Sequence, residues 1–156
     1  LAGGHTVMVG TDSVWGSLKG KLDQSVGIEV GRWLATFATP CSCKLGLPLC
    51  ADLVFDVRFF KNPHYDAALR SKTGQDADVQ TYVAKDPAFE DFTTHLKGMI
   101  GPLLPRYRAE GKSYLTIAFG CTGGRHRSVT MAEYFGTWLS ENEWRAQIRH
   151  RDLDKA

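Results

Sequence analysis

No stretch of the 156-residue chain approaches the ~18–20 consecutive apolar residues that a membrane helix needs. A soluble protein with no membrane partner is therefore expected. The first ten residues, LAGGHTVMVG, have neither a basic segment nor a long apolar one, so no secretory signal is read there. Charge of one sign is also scarce: 19 Lys+Arg face 17 Asp+Glu, a formal net charge of +2. That balance excludes a uniformly basic, non-specific nucleic-acid coat and leaves room only for a local patch. Internal repeats and low-complexity tracts are absent, and no G-x-x-x-x-G-K-[ST] phosphate loop occurs. What is present is core material: 43% of the residues are hydrophobic and 11% aromatic, which fits one compact domain.

Cysteine is sparse too. Cys41, Cys43 and Cys50 form C-x-C-x6-C, and Cys121 stands far away. This spacing lacks the two closely spaced pairs of structural zinc sites, so neither a metal nor a cofactor is expected. A disulfide framework does not suit a chain with this much core and no secretion signal, which points to a reduced, cytoplasmic protein. The first three cysteines read as small, semi-buried hydrophobes.

The chain alternates strand and helix signals. Residues 1–26 are Gly-rich and weakly patterned, with a short helix possible only around residues 14–22. Strands are predicted over residues 28–39, ending at Pro40, over 51–59 (ADLVFDVRF), and over 113–119 (SYLTIAF), the last with the apolar run of a buried parallel strand. Helices are predicted over 76–84 and 89–104, the second opened by Asp86-Pro87 and closed by Pro102 and Pro105. Asn62-Pro63 and residues 110–112 read as a loop and a turn. After residue 128, Val129, Ala132, Phe135 and Leu139 recur at helical spacing, and residues 144–150 (WRAQIRH) read as a last strand. The fold class is thus α/β, a mostly parallel sheet flanked by helices.

Between the best strand and the best helix lies GCTGGRHRS, residues 120–128. Gly120, Gly123 and Gly124 permit close backbone approach. The following helix aims unpaired N–H groups and its positive dipole end at the loop. Arg125, His126 and Arg127 add cationic donors, while Thr122 and Ser128 add hydroxyls. The natural ligand is an anion, foremost a phosphate; the plainer alternative is a tight turn whose basic residues face water.

Two chemistries use such a loop. The string C-x-x-G-x-x-R-S, from Cys121 to Ser128, resembles the phosphate loop of cysteine-dependent phosphatases, in which a thiolate attacks phosphorus and an arginine holds the oxygens. Cys121 and Arg127 would then be catalytic, with Asp56 or Asp91 as general acid. However, Gly120 stands where those phosphatases usually carry His, and no acid-loop motif is recognisable.

A longer resemblance covers about two thirds of the chain. ADLVFDVRFFKNPHYD, LRSKTGQDADV, RYRAEGKSYLTIAFGCTGGRHRSV and the closing RHRDL, in this order, resemble the C-terminal domain of the RNase adapter protein RapZ family. Where that family carries a Tyr/Phe-rich SFxxKxGxP pattern, this chain reads ATPCSCKLGLP. The resemblance implies a fold like a phosphofructokinase sugar-phosphate domain, following an N-terminal nucleotide-binding domain. Residues 1–26 are then expected to be the linker or remnant of that domain, and 27–156 the ligand- and RNA-binding domain of a truncated or stand-alone bacterial chain. It further implies a non-enzymatic regulator of amino-sugar metabolism that binds glucosamine-6-phosphate and a small regulatory RNA. An RNase E-type endoribonuclease and further copies of the chain are its implied partners.

Carried over residue by residue, the implied ligand pocket is Thr122, Gly123, Gly124, His126 and Arg127 with Asp56, Arg58, Asn62 and His64; Cys121 packs beneath and Ser128 closes the loop. Asp56 and Arg58 lie at the carboxyl end of their strand, the edge where parallel sheets bind ligands, although a structural ion pair would use the same two residues. For RNA, the candidates are Lys112, Arg125, Arg145, Arg149, His150 and Arg151, with Lys155 beyond them. Tyr107 and Trp144 are available to stack bases, or to pack in the core. Glu141, Glu143, Asp152 and Asp154 dilute this patch.

Overall fold

A computed structural model describes residues 25–32 (backbone only), 51–112, 115–150 and 153. The expected helix at 14–22, residues 33–50 with Cys41, Cys43 and Cys50, and Arg151 lie outside these described residues.

Strands β1 (Ser25–Arg32), β2 (Leu53–Asp56), β3 (Thr116–Cys121) and β4 (Arg145–His150) form one four-stranded sheet in the order β2-β3-β1-β4. Every neighbouring pair is parallel. Parallel neighbours need crossover connections. Between β2 and β3 run a 3-10 turn (Pro63–Tyr65) and helices α1 (Ala77–Ala84) and α2 (Phe89–Ala109), and α3 (Arg127–Glu141) leads from β3 to β4. The α/β class with a parallel sheet is as expected.

Alternation along the strands decides which side carries the helices. Ile117, Phe119 and Cys121 on β3 are buried in one cluster with Ile100 and Leu104 of α2 and Val129, Ala132, Phe135 and Leu139 of α3. Phe119 stacks on Phe55 at 5.7 Å between ring centroids and meets the edge of Phe135 at 5.9 Å. On β4, Ala146 and Ile148 pack against this cluster while Arg145, Gln147 and Arg149 are exposed. Among the described residues the helices therefore cover one face of the sheet.

Several boundaries differ from the sequence reading. β1 begins at Ser25, which pairs with Arg145, three residues before the strand start expected at 28, and β3 runs over Thr116–Cys121 rather than 113–119. β2 ends at Asp56 rather than at Phe59. Val57 still donates to the Gly120 carbonyl at 2.9 Å, but the next N–H, of Arg58, turns back onto Asp56 Oδ1 at 2.9 Å. This local Asx-type bond competes with the ladder and takes the chain out of the sheet.

Helix α2 does not stop at its prolines: it runs through Pro102 and Pro105 to Ala109. Both prolines are exposed, whereas Leu96, Ile100 and Leu104 on the opposite side are at most 3% exposed. Each proline also stands four residues after a glycine, Gly98 and Gly101, where the ring meets a carbonyl on a residue without a side chain. Burial of the apolar stripe outweighs the helix-breaking cost of about 3 kcal/mol per proline. The opening of α2 is nearer to expectation. Asp86 Oδ1 accepts from the Ala88 N–H at 2.9 Å, and its other oxygen accepts from Lys61 N–H at 2.7 Å.

Candidate functional site

The register brings the two signature segments together. Asp56 lies beside Gly120 across β2 and β3, so the FDVRF turn and the glycine loop share the carboxyl edge of the sheet. The loop then feeds directly into α3, where Thr130 N–H makes the first helical bond, to His126 O at 2.9 Å. Gly124 has φ +63°, a left-handed conformation that glycine adopts freely and other residues resist. No described group accepts from the backbone N–H groups of residues 123–128. Successive N–H groups of this kind at a helix start make an anion-binding concavity.

The loop's side chains have more specific destinations than charge alone suggests. Arg127 is 5% exposed. Its Nη1 donates to the carbonyls of Arg58 at 2.6 Å and Phe60 at 3.0 Å, and its Nη2 donates to Thr122 Oγ1 at 3.3 Å. It thereby ties the turn after β2 to the glycine loop. Arg125 points the other way, donating from Nε to Lys72 O at 3.1 Å and from Nη2 to Ser71 O at 2.8 Å. Cys121 and Ser128 are buried and face each other, Sγ to Oγ at 3.1 Å. Thr122 and Gly123 are exposed at the mouth.

Asp56 and Arg58 do form an ion pair. Arg58 Nε reaches both carboxylate oxygens at 2.9 and 2.7 Å, and Nη2 also contacts Oδ2. Burial works to raise the Asp56 pKa, but the Arg58 hydrogen bonds and the charges of Arg58 and Arg127 overcome it and hold the carboxyl below its ordinary value. Asn62 caps the 3-10 turn by accepting from the His64 N–H at 3.2 Å. His64 is exposed, with its ring centroid 6.4 Å from that of His126.

His126 is 6% exposed, and its Nε2 has no hydrogen-bond partner among the described residues; the same is true of Arg127 Nε. Burial is the largest influence on the imidazole and pushes its pKa down. The Arg125 and His64 charges act in the same sense, against the carbonyls of Leu69 and Arg70. His126 is accordingly neutral near pH 7.

One element of the site went unassigned in the sequence: the strap of residues 69–75. It lies over the start of α3, with Gly74 N–H donating to Arg125 O at 2.9 Å and Gln75 Nε2 donating to Glu133 at 2.9 Å. A Cβ on Gly74 would stand 2.3 Å from His126 O and 2.4 Å from Thr130 N. The only sequence signal was a lone glycine inside LRSKTGQDADV.

The RNA candidates do not converge. Lys112 pairs with Asp52 at 2.6 Å, at the amino edge of the sheet, opposite the glycine loop. Arg125 holds the strap. Arg145 and Arg149 are exposed on the helix-free side of β4, whereas His150 Nε2 meets Glu133 Oε1 at 2.7 Å. Tyr107 and Trp144 pack against the core, and the Arg108 guanidinium lies over the Trp144 ring at 5.5 Å. Asp91, the second general-acid candidate, is exposed in the first turn of α2 beside His95.

Comparison with known proteins places these features in a family. A family model described as the RapZ C-terminal domain matches residues 38–154. A "Nucleotide-binding protein" of Paramagnetospirillum magneticum is 50% identical over 140 residues, covering 90% of this chain and 46% of that protein. Similarly named proteins of Rhodospirillum rubrum (54% over 136 residues; 87% and 43%) and Rhodospirillum centenum (53% over 122 residues; 78% and 37%) behave alike. The chain thus spans less than half the length of these relatives.

The strap gives the first prediction. Gly74→Ala forces the strap off α3 and lowers stability by about 1–3 kcal/mol in urea denaturation. Gly123→Ala, whose Cβ would meet nothing within 4 Å, changes it by less than about 0.5 kcal/mol. Equal effects of the two would remove the packing role given to Gly74.

His126 gives the second. A histidine whose folded-state pKa is depressed stabilises fully above its unfolded value of about 6.5, and that contribution is lost as pH falls through the folded value. The thermal midpoint is therefore expected to drop as pH falls below about 6.5, and His126→Gln flattens that slope. An unchanged slope in the variant assigns the effect elsewhere.

Proposed function

Because the chain belongs to the RapZ C-terminal domain family, we propose that it is a regulatory domain that binds a phosphorylated amino sugar, of the glucosamine-6-phosphate type, at the glycine loop. The observation that carries this reading is the row of N–H groups over residues 123–128 that no described group accepts, together with the buried Arg127 Nε and His126 Nε2, which have no partner among the described residues. The N–H groups and the guanidinium suit a phosphate. Asp56, Arg58, Asn62 and His64 at the same edge suit the sugar's amine and hydroxyls. A parallel sheet that holds its ligand at the carboxyl ends of its strands also agrees with a phosphofructokinase-like sugar-phosphate fold.

Binding without turnover is favoured over the phosphatase chemistry. Cys121 is 2% exposed with its sulfur against Ser128, so the thiol is closed off from an attacking position. Asp56, held as a carboxylate by Arg58, is a poor proton donor.

The adapter role is the second half of the reading: small regulatory RNA bound through Arg145 and Arg149, the exposed pair on β4, and presentation to an RNase E-type endoribonuclease by an oligomer in the cytoplasm. No helix among the described residues is long and apolar enough to cross a membrane. Nucleotide binding is what the relatives' names state of those longer proteins.

Titration calorimetry with glucosamine-6-phosphate tests the site. Heat saturating at one ligand per chain is expected, with the affinity about ten- to a hundredfold weaker in Arg127→Ala; no heat with the unmodified chain removes the sugar reading. For RNA, the affinity should fall steeply with salt. Replacing Arg145 and Arg149 by Ala should lower the log–log slope by about one per lost phosphate contact. An unaltered slope removes β4 from the interface.

A further inference from the structure

Arg58, Arg125 and Arg127 bring guanidinium groups to the carboxyl edge of the sheet, and their partners differ in kind. Those of Arg125 and Arg127 donate to backbone carbonyls that build the strap and the turn. Releasing either one undoes local structure. The guanidinium of Arg58 donates only to the Asp56 carboxylate among the described residues. Both side chains are about a third exposed, 31% for Arg58 and 30% for Asp56, so this pair is within reach of a solute. Exposed pairs of this kind are weak and readily exchanged.

Two further contacts make the exchange orderly. The Arg58 backbone N–H holds Asp56 Oδ1 at 2.9 Å, so the carboxylate stays in place when the guanidinium leaves. The Arg58 carbonyl is held by Arg127 at 2.6 Å, which keeps the root of the Arg58 side chain beside the glycine loop. A half-buried carboxylate that loses its arginine needs another cation, and a guanidinium that loses its carboxylate needs another anion. A zwitterionic ligand supplies both.

Resting on the amino-sugar-phosphate reading, we propose that ligand binding exchanges this ion pair. The Arg58 guanidinium turns from Asp56 to the ligand phosphate, and the ligand ammonium takes its place on the Asp56 carboxylate. Each member of the pair keeps an opposite charge before and after, and the remaining negative charge of the phosphate falls to the loop N–H groups. Arg58 is then the specificity-determining residue of the site. A phosphate ester without an amine strands Asp56, and an amine without a phosphate cannot draw Arg58 away, so each fragment alone is penalised.

Calorimetric titrations of the chain with glucosamine-6-phosphate, glucose-6-phosphate and glucosamine test the exchange. The unmodified protein is expected to prefer the first over the other two by roughly tenfold or more. Asp56→Asn, which keeps an oxygen for the Arg58 N–H but frees the guanidinium, is expected to bind glucose-6-phosphate more tightly than the unmodified protein and to lose its preference for the amine. Arg58→Met, which frees Asp56, is expected to gain affinity for glucosamine while losing affinity for both phosphates. In the unmodified protein the Arg58 Nε–H resonance is expected to shift with glucosamine-6-phosphate and to stay in place with glucosamine, a readout that needs no folded variant. If the unmodified protein binds glucosamine-6-phosphate but both variants weaken all three ligands alike, or the resonance does not move, the exchange is overturned and the sugar reading stands. If the unmodified protein binds none of the three, the sugar reading falls and the exchange falls with it.

Discussion

A single buried guanidinium holds the carboxyl edge of this domain together. Arg127 begins α3, yet its side chain reaches back under the turn after β2 to the Arg58 and Phe60 carbonyls. A charge at 5% exposure is costly unless its donors are satisfied, and here the acceptors come from a segment far away in sequence. That arrangement makes two loops into one unit: the FDVRF turn cannot move without the glycine loop. Thr122, the third partner, brings the mouth of the loop into the same unit. Removing Arg127 would therefore act on loop order as well as on charge.

The strap adds the second constraint. Arg125 holds it through two carbonyls, Gly74 lets it approach α3, and Gln75 links it to Glu133. Glu133 also receives His150 from β4, and that hydrogen bond is the main cause of its depressed pKa, with burial opposing and Gln75 assisting. The loop is thus pinned by Arg127 to the turn after β2 and by Arg125 to the strap, while its N–H groups over residues 123–128 have no acceptor among the described residues. Preorganisation of this kind lets backbone dipoles bind an anion without first reordering the chain.

Much of this was readable in the residues, and what was not has physical reasons. The strand before the glycine loop and the helix after it were plain, because their apolar periods differ and glycines separate them, although the strand, expected over 113–119, runs from Thr116 to Cys121. The turn at Asp56 was not, because a local side-chain bond overrode a run of apolar residues that would otherwise extend the strand. Pro102 and Pro105 misled for a related reason: a local helix-breaking rule met a buried stripe with more to gain by continuing. At the site, residue types revealed an anion loop but not where each arginine points. Arg125, Arg127, Lys112 and Arg58 are indistinguishable as positive charges in a sequence. In space, two of them hold backbone and two hold carboxylates.

That division changes what the near-neutral net charge of +2 means. A cation paired with a carboxylate adds to the count of positive residues but contributes little to the field that a distant polyanion meets. Lys112 and Arg58 belong to that group. Arg145 and Arg149, spaced along one exposed side of β4, have no ion-pair partner among the described residues. The carboxyl edge of the sheet and the exposed side of β4 therefore differ in kind. The first is a cluster whose cations are positioned at short range by hydrogen bonds, suited to a small anion. The second is an open surface whose cations act through their field, suited to a longer one. The strand ends and the edge strand of one parallel sheet are separate surfaces, and the Glu133–His150 hydrogen bond is one link between them.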